Sequence, residues 1–157
     1  MNLEIERKFL VLDDSYRRQA VRTIRMKQGY IASDAGRTVR VRITDDCGFL
    51  TIKGPSTDGI SRLEWEREIP LADAEELFVF CKEGVIEKTR HIVPADGGRK
   101  WEIDEFYGAN AGLTVAEIEL GSPDEPFDRP AWLGEEVTGD RRYYNSHLCK
   151  HPFESWT

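Results

Sequence analysis

Two kinds of charged pair recur along this chain at a spacing of two residues. Acidic pairs stand at Glu4/Glu6, Glu64/Glu66, Glu102/Asp104 and Glu117/Glu119; basic pairs stand at Arg40/Arg42 and Lys88/Arg90, with Lys8 and Lys53 beside them. On a β-strand, residues i and i+2 share one face about 7 Å apart. Like charges so placed repel, and if they turn inward they need counter-charges: divalent cations for the acidic rows, a polyanion for the basic ones. A ligand set of carboxylate oxygens without His or Cys favours Mg²⁺ or Mn²⁺ over Zn²⁺. Both metals bind phosphates, so one metal-bound oligophosphate would satisfy both rows. A single E-x-E-x-K such as Glu4-Ile5-Glu6-Arg7-Lys8 is better explained as a solvated strand face. Sorting of the charges strand by strand is not, because solubility is better served by mixed signs.

The elements that must position these pairs are short strands. Leu3, Ile5 and Phe9 oppose Glu4, Glu6 and Lys8; Val39, Val41 and Ile43 oppose Thr38, Arg40, Arg42 and Thr44; Leu63, Trp65, Arg67 and Ile69 oppose Arg62, Glu64, Glu66 and Glu68. Alternation predicts further strands at residues 27–31, 49–53, 86–93, 99–106 and 113–120, with turn residues between them. Helices are expected at 16–25, where Tyr16, Ala20 and Ile24 recur at fourfold spacing, and at 71–83, where Ala74, Leu77, Phe78 and Cys81 share a side before Gly84. From about residue 122 the pattern is less regular: an extended linker with three prolines, a helical turn over 131–136 and a last short helix over 141–149.

Seven or eight such strands predict an α+β fold that is mainly antiparallel β, an eight-stranded closed or nearly closed barrel with a few flanking helices. Its 157 residues suit one domain, 1–157. The net charge of −7 argues against broad binding to nucleic acid or anionic membranes. Three scattered cysteines without C-x-x-C spacing suggest neither a disulfide framework nor a zinc site, and with no apolar run of membrane length they point to a cytoplasmic protein. Outward apolar strand faces need cover, which helices or a homodimer would supply. No phosphate loop, nucleophile elbow or H-E-x-x-H is present. His147/His151 reads as a surface pair, His91 as packing or surface, and Trp65, Trp101, Trp132 and Trp156 as core or interface.

In order, E-x-E-x-K (Glu4, Glu6, Lys8), R-x-R (Arg40, Arg42), T-x-K (Thr51, Lys53), E-x-E (Glu64, Glu66), K-x-R (Lys88, Arg90), WEID (Trp101 to Asp104), AEIEL (Ala116 to Leu120) and WLGEEVTGDRRYYNSHL resemble the CYTH superfamily of triphosphate tunnel metalloenzymes, in its bacterial single-domain form. The resemblance implies a barrel forming a tunnel. In it Lys8, Arg40, Arg42, Lys53, Lys88 and Arg90 would grip a small-molecule triphosphate, and Glu4, Glu6, Glu117 and Glu119 would be the main metal ligands. Glu64, Glu66, Glu102 and Asp104 would be additional ligands, water-mediated neighbours of the metal, or partners orienting the basic residues. The implied activity is metal-dependent hydrolysis of a triphosphate, foremost inorganic tripolyphosphate, with Glu4, Glu6, Lys8 and Arg40 as the catalytic set. Class IV adenylyl cyclase and thiamine triphosphatase remain alternatives with the same phosphate machinery, and a noncatalytic polyphosphate-binding module is the alternative of another class.

Overall fold

Period-two alternation is realised in nine antiparallel strands: β1 (Asn2–Val11), β2 (Arg22–Asp34), β3 (Arg37–Thr44), β4 (Cys47–Lys53), β5 (Ser61–Ile69), β6 (Val85–Pro94), β7 (Lys100–Phe106), β8 (Thr114–Glu119) and β9 (Leu133–Glu136). The computed structural model describes residues 2–156; Met1 and Thr157, the ends of the expected domain range, lie outside the described residues. The strands run in the order β5-β4-β3-β2-β6-β7-β8-β1-β9, and a β1–β5 pairing closes eight of them into a barrel. Helices α1 (Leu71–Leu77) and α2 (Asn145–Lys150) are short.

Strand β1 makes the closure by dividing its pairing. Asn2 to Ile5 pair with β5, while Glu6 to Leu10 pair with β8. Beyond Ile5 the seam between β1 and β5 is filled by other segments: the Glu6 amide donates to the Ile60 carbonyl at 3.3 Å, and the Lys8 amide donates to the Thr138 hydroxyl at 2.9 Å. Strand β9 then takes up the edge of β1 opposite Phe9 and Val11.

Most of the apolar residues lie outside the barrel wall, the reverse of an ordinary small barrel. Ile5, Phe9, Trp101, Ile103, Ala116 and Ile118 face outward beneath Tyr16, Trp132 and Phe127. On the other wall, Val41, Ile31, Ile43 and Ile69 are covered by Ala74, Leu77, Phe78 and Cys81 of α1 and the 3₁₀ turn that follows it. Approach of α1 is close enough that a Cβ on Gly48 would sit 2.7 Å from the Ala74 Cβ. A third cluster closes one end: Leu10, Ile86, Phe106 and Val115 meet Tyr143, Leu148, Phe153 and Trp156 of the tail. Leu3, Leu63 and Ile52, on adjoining strands β1, β5 and β4, remain exposed.

Five expected elements differ. Residues 16–25 are not a helix: Ser15–Arg18 is a 3₁₀ turn and Arg22 opens β2, whose 13 residues absorb the short strand expected at 27–31. The fourfold spacing of Tyr16, Ala20 and Ile24 is real but joins different environments, since Tyr16 and Ala20 pack on the outer cluster while Ile24 sits opposite Arg90 on the inner face. The expected helical turn at 131–136 contains strand β9, because its backbone completes the free edge of β1. The helix expected over 71–83 ends at Leu77 and continues as a 3₁₀ turn, Phe78–Phe80. The helix expected over 141–149 divides into the 3₁₀ turn Arg141–Tyr143 and α2.

Candidate functional site

The ionised strand faces point inward. A cavity of about 270 Å³ is lined by Glu4, Glu6, Lys8, Arg40, Arg42, Lys53, Glu64, Glu66, Lys88, Arg90, Glu102, Glu117 and Glu119. Of the residues expected at the site, Asp104 alone does not line it. Asp104 is on the same inward face as Glu102, opposite Arg90, but lies 2% exposed beneath the two cations, where it accepts hydrogen bonds from Arg90 Nε and Nη2 at 2.8 and 2.9 Å and pairs with Lys88 Nζ at 2.8 Å. Burial alone would raise its pKa, but Arg90 and Lys88 outweigh that and hold it far below the usual carboxylate range. Its role here is to orient two cations.

Register explains how the rows meet. Across β3 and β4, Thr38 faces Lys53 and Arg40 faces Thr51; across β4 and β5, Thr51 faces Glu66 and Lys53 faces Glu64. Thr51 donates to Glu66 at 2.6 Å, and Arg40 Nη2 reaches the same carboxylate at 3.4 Å. Lys53 Nζ donates to Glu4 Oε1 at 2.7 Å, and Glu64 Oε2 lies 3.6 Å from that ammonium. Across β1 and β8, Lys8 faces Glu117 and Glu6 faces Glu119. The Lys8 ammonium lies 3.5 Å from Glu117, and Arg90 also donates to Glu102 at 2.9 Å.

These pairings leave a remainder of each sign. Arg40 Nε and Arg42 Nε are buried without a hydrogen-bond partner. Burial, with Arg40 and Arg90 as like-charged neighbours, depresses the Arg42 pKa. On the acidic side, no basic group lies within 4 Å of the Glu6 or Glu119 carboxylates among the described residues. Burial first, and Glu117 next, push the Glu6 carboxyl up to about 8; burial and Glu4 raise Glu119. Unpaired donors and unpaired carboxylates thus share one cavity of about 270 Å³, a costly arrangement for a protein standing alone.

The oxygen-only donor set fits a hard divalent cation. Among the described residues no three acidic, His or Cys side chains converge tightly enough to hold a metal unaided.

Parity in the sequence could have found four further lining residues: Thr38 beside Arg40, Arg62 beside Glu64, Lys100 beside Glu102, and Tyr30, which stands opposite Arg40. Thr138, Tyr144, Asn145 and Ser146 also line the cavity, and no periodic signal marks them because the fold of the tail brings them there. None of the four tryptophans lines it; Trp101 and Trp132 are buried in the outer core. His91 packs edge-on against Tyr16 outside the barrel, and the His147 and His151 rings lie 4.7 Å apart on the tail. Among the described residues no helix is long and apolar enough to cross a membrane.

Residues 2–144 match the CYTH domain. An inorganic triphosphatase of Acetivibrio thermocellus is 48% identical over 157 residues, 99% of this chain and 99% of that protein. An inorganic triphosphatase of Nitrosomonas europaea is 35% identical over 149 residues, 93% of this chain and 96% of that protein. The crystal structure of an inorganic triphosphatase superposes with a TM-score of 0.65 at 33% identity, covering 94% of this chain and 97% of that one. A match that runs from β1 into the tail, on a barrel that turns its paired charges inward, settles the kinship: the chain belongs to the CYTH family.

Proposed function

We propose that this chain, a single tunnel domain over residues 1–157, is a metal-dependent inorganic triphosphatase acting on tripolyphosphate with Mg²⁺ or Mn²⁺. The observation that carries this reading is the double remainder in the cavity: buried Arg40 and Arg42 N–H groups without acceptors, beside Glu6 and Glu119 without cations. A polyanion carrying a divalent cation removes both. The names of the relatives agree with it, and a cavity near 270 Å³ is at the small end of the roughly 300–1,000 Å³ typical of organic-ligand sites.

In this reading Lys8, Arg40, Arg42, Lys53, Lys88 and Arg90 hold phosphate oxygens and stabilise the charge that develops on the leaving group. Glu4, Glu6, Glu117 and Glu119 hold the metal, with Glu64, Glu66 and Glu102 at its margins. When bound, the metal neutralises phosphate charge and lowers the pKa of a coordinated water. A carboxylate of the acidic rows accepts the proton of the water that attacks the terminal phosphorus in line.

The test is phosphate release from tripolyphosphate, ATP and thiamine triphosphate, each with Mg²⁺ and with Mn²⁺, analysed also for cyclic nucleotide. Fastest release from tripolyphosphate is expected. Cyclic nucleotide as the main product would favour the cyclase, preference for thiamine triphosphate its own hydrolase, and tight tripolyphosphate binding without turnover a noncatalytic module. Glu4→Gln and Arg40→Ala should each lower the rate by about 10²-fold or more; near-normal rates in both would overturn the residue assignment. A homodimer would use the uncovered wall of Leu3, Leu63 and Ile52, and sedimentation of the wild type against Leu63→Lys tests it, with no difference in mass counting against that wall. Cytoplasmic residence is checked by fractionating cells.

A further inference from the structure

The tail contributes more to the cavity than a plug. At the start of α2, Asn145 Oδ1 accepts a hydrogen bond from Lys88 Nζ at 3.0 Å, and the preceding turn supplies the Tyr143 carbonyl to Lys8 Nζ at 3.3 Å. Lys88 is 1% exposed. Its ammonium has three donors; one is engaged by Asp104 at 2.8 Å and one by Asn145. Two fixed acceptors on opposite supports, a barrel strand and the tail, determine the direction of the third N–H, and Lys88 and Asn145 both line the cavity.

We propose that Asn145 is a positioning residue: it fixes the Lys88 ammonium so that its remaining N–H is aimed at a phosphate oxygen of the bound polyanion. The proposal rests on the triphosphatase reading for its effect on rate, but not for its effect on Lys88 itself. An ammonium held by Asp104 alone keeps its ion pair and loses its second angular restraint. Rotation about the terminal bond then spreads the free N–H over many directions. Misdirection of one preorganised donor commonly costs 10- to 100-fold. Because five other basic side chains share the polyanion, KM is expected to move much less than kcat.

The experiment compares Asn145→Ala with Asn145→Asp, which keeps an oxygen acceptor at the same place. Two readouts are taken: steady-state tripolyphosphate hydrolysis, and the ¹⁵N resonance of the Lys88 ammonium in metal-free, ligand-free protein. Asn145→Ala is expected to lower kcat by about tenfold or more with KM changed less than threefold, and to broaden or shift the Lys88 resonance. Asn145→Asp should recover most of the rate and a sharp resonance. Wild-type kcat and an unchanged resonance in Asn145→Ala would overturn the proposal; so would equal losses in both variants with the resonance intact, which would mean that the side chain merely packs the tail. If the wild type releases no phosphate, the triphosphatase reading fails, and the Lys88 resonance still decides whether Asn145 holds the ammonium.

Discussion

Glu6 and Glu117 are both buried carboxyls on the inner face, yet their neighbours drive them in opposite directions. Burial acts to raise both. At Glu117 the Lys8 ammonium, followed by Arg90, overcomes burial and brings the pKa down to about 2. At Glu6 the next largest influence after burial is the Glu117 charge itself, so the pKa rises to about 8. A carboxyl retained where it destabilises the empty protein is the signature of a function that needs it. Glu6→Gln should therefore raise the thermal midpoint in the presence of a chelator while lowering metal-supported phosphate release by about 10²-fold or more. Thermal unfolding and a phosphate assay on one preparation check both halves. A lower midpoint with retained activity would reverse the assignment.

Among the elements, legibility in the sequence followed the parity of charge. Strands β3, β5 and β7 carry ionised residues inward and apolar ones outward, so alternation located them to within a residue or two. Strand β2 has the opposite pattern: Ile24, Met26, Gln28 and Tyr30 occupy inward register positions, and Arg25 and Lys27 the outward ones. Its period is still two, but it carries no inward charge, and the chance fourfold spacing through Tyr16 and Ala20 suggested a helix. Strand β9 was unreadable for another reason. Its four residues take their structure from the free edge of β1, and that edge is created by the divided pairing far away in sequence. The tail residues at the cavity, Tyr144 and Asn145 among them, likewise owe their place to packing of Tyr143 and Leu148 against the barrel end.

Two predictions belong to this scale. Gly48 lets α1 approach the sheet, and a methyl there would meet the Ala74 Cβ; Gly48→Ala should cost about 1–3 kcal/mol, seen as a lowered midpoint in chemical or thermal unfolding. In the loop before β5, the Asp58 carboxylate accepts the Ser61 and Ile60 amides at 2.6 and 2.9 Å and the Ser56 hydroxyl at 3.0 Å. These bonds hold its pKa far below 3.8. Its contribution is therefore complete above the ordinary carboxylate range and is lost only as pH falls through the lower folded value. A carbon-13 NMR titration should place the Asp58 midpoint well below 3.8, and an ordinary midpoint would show that the turn does not hold this carboxylate.

At the scale of the whole molecule, two hydrophobic clusters lie outside the wall, a third plugs one end, and the rest of the lumen is a field of paired and unpaired charge. Apolar burial is thus concentrated at the periphery and at one end, while the charged lumen is the part that a charged ligand would stabilise. Tripolyphosphate with Mg²⁺ at about 100 times its Kd should add about 2.7 kcal/mol, which raises the thermal midpoint by roughly 5–10 °C in a chain of this size. The shift should shrink as salt is added. Differential scanning calorimetry with and without the ligand measures it, and an unchanged midpoint would show that the lumen does not bind the complex.

The divided pairing of β1 also orders events in time. Glu4 and Glu6 acquire their strand neighbours only when β1 lies between β5 and β8, and Lys8 and Lys88, already paired with Glu117 and Asp104, gain the Tyr143 carbonyl and Asn145 only when the tail has docked. The meander from β2 to β7 already pairs Arg40 with Glu66 and Arg90 with Glu102 and Asp104; what it lacks are the carboxylates of β1 and β8 and the tail's acceptors. A polyanion that needed all of these groups at once would therefore be bound in full only after both β1 and the tail had docked.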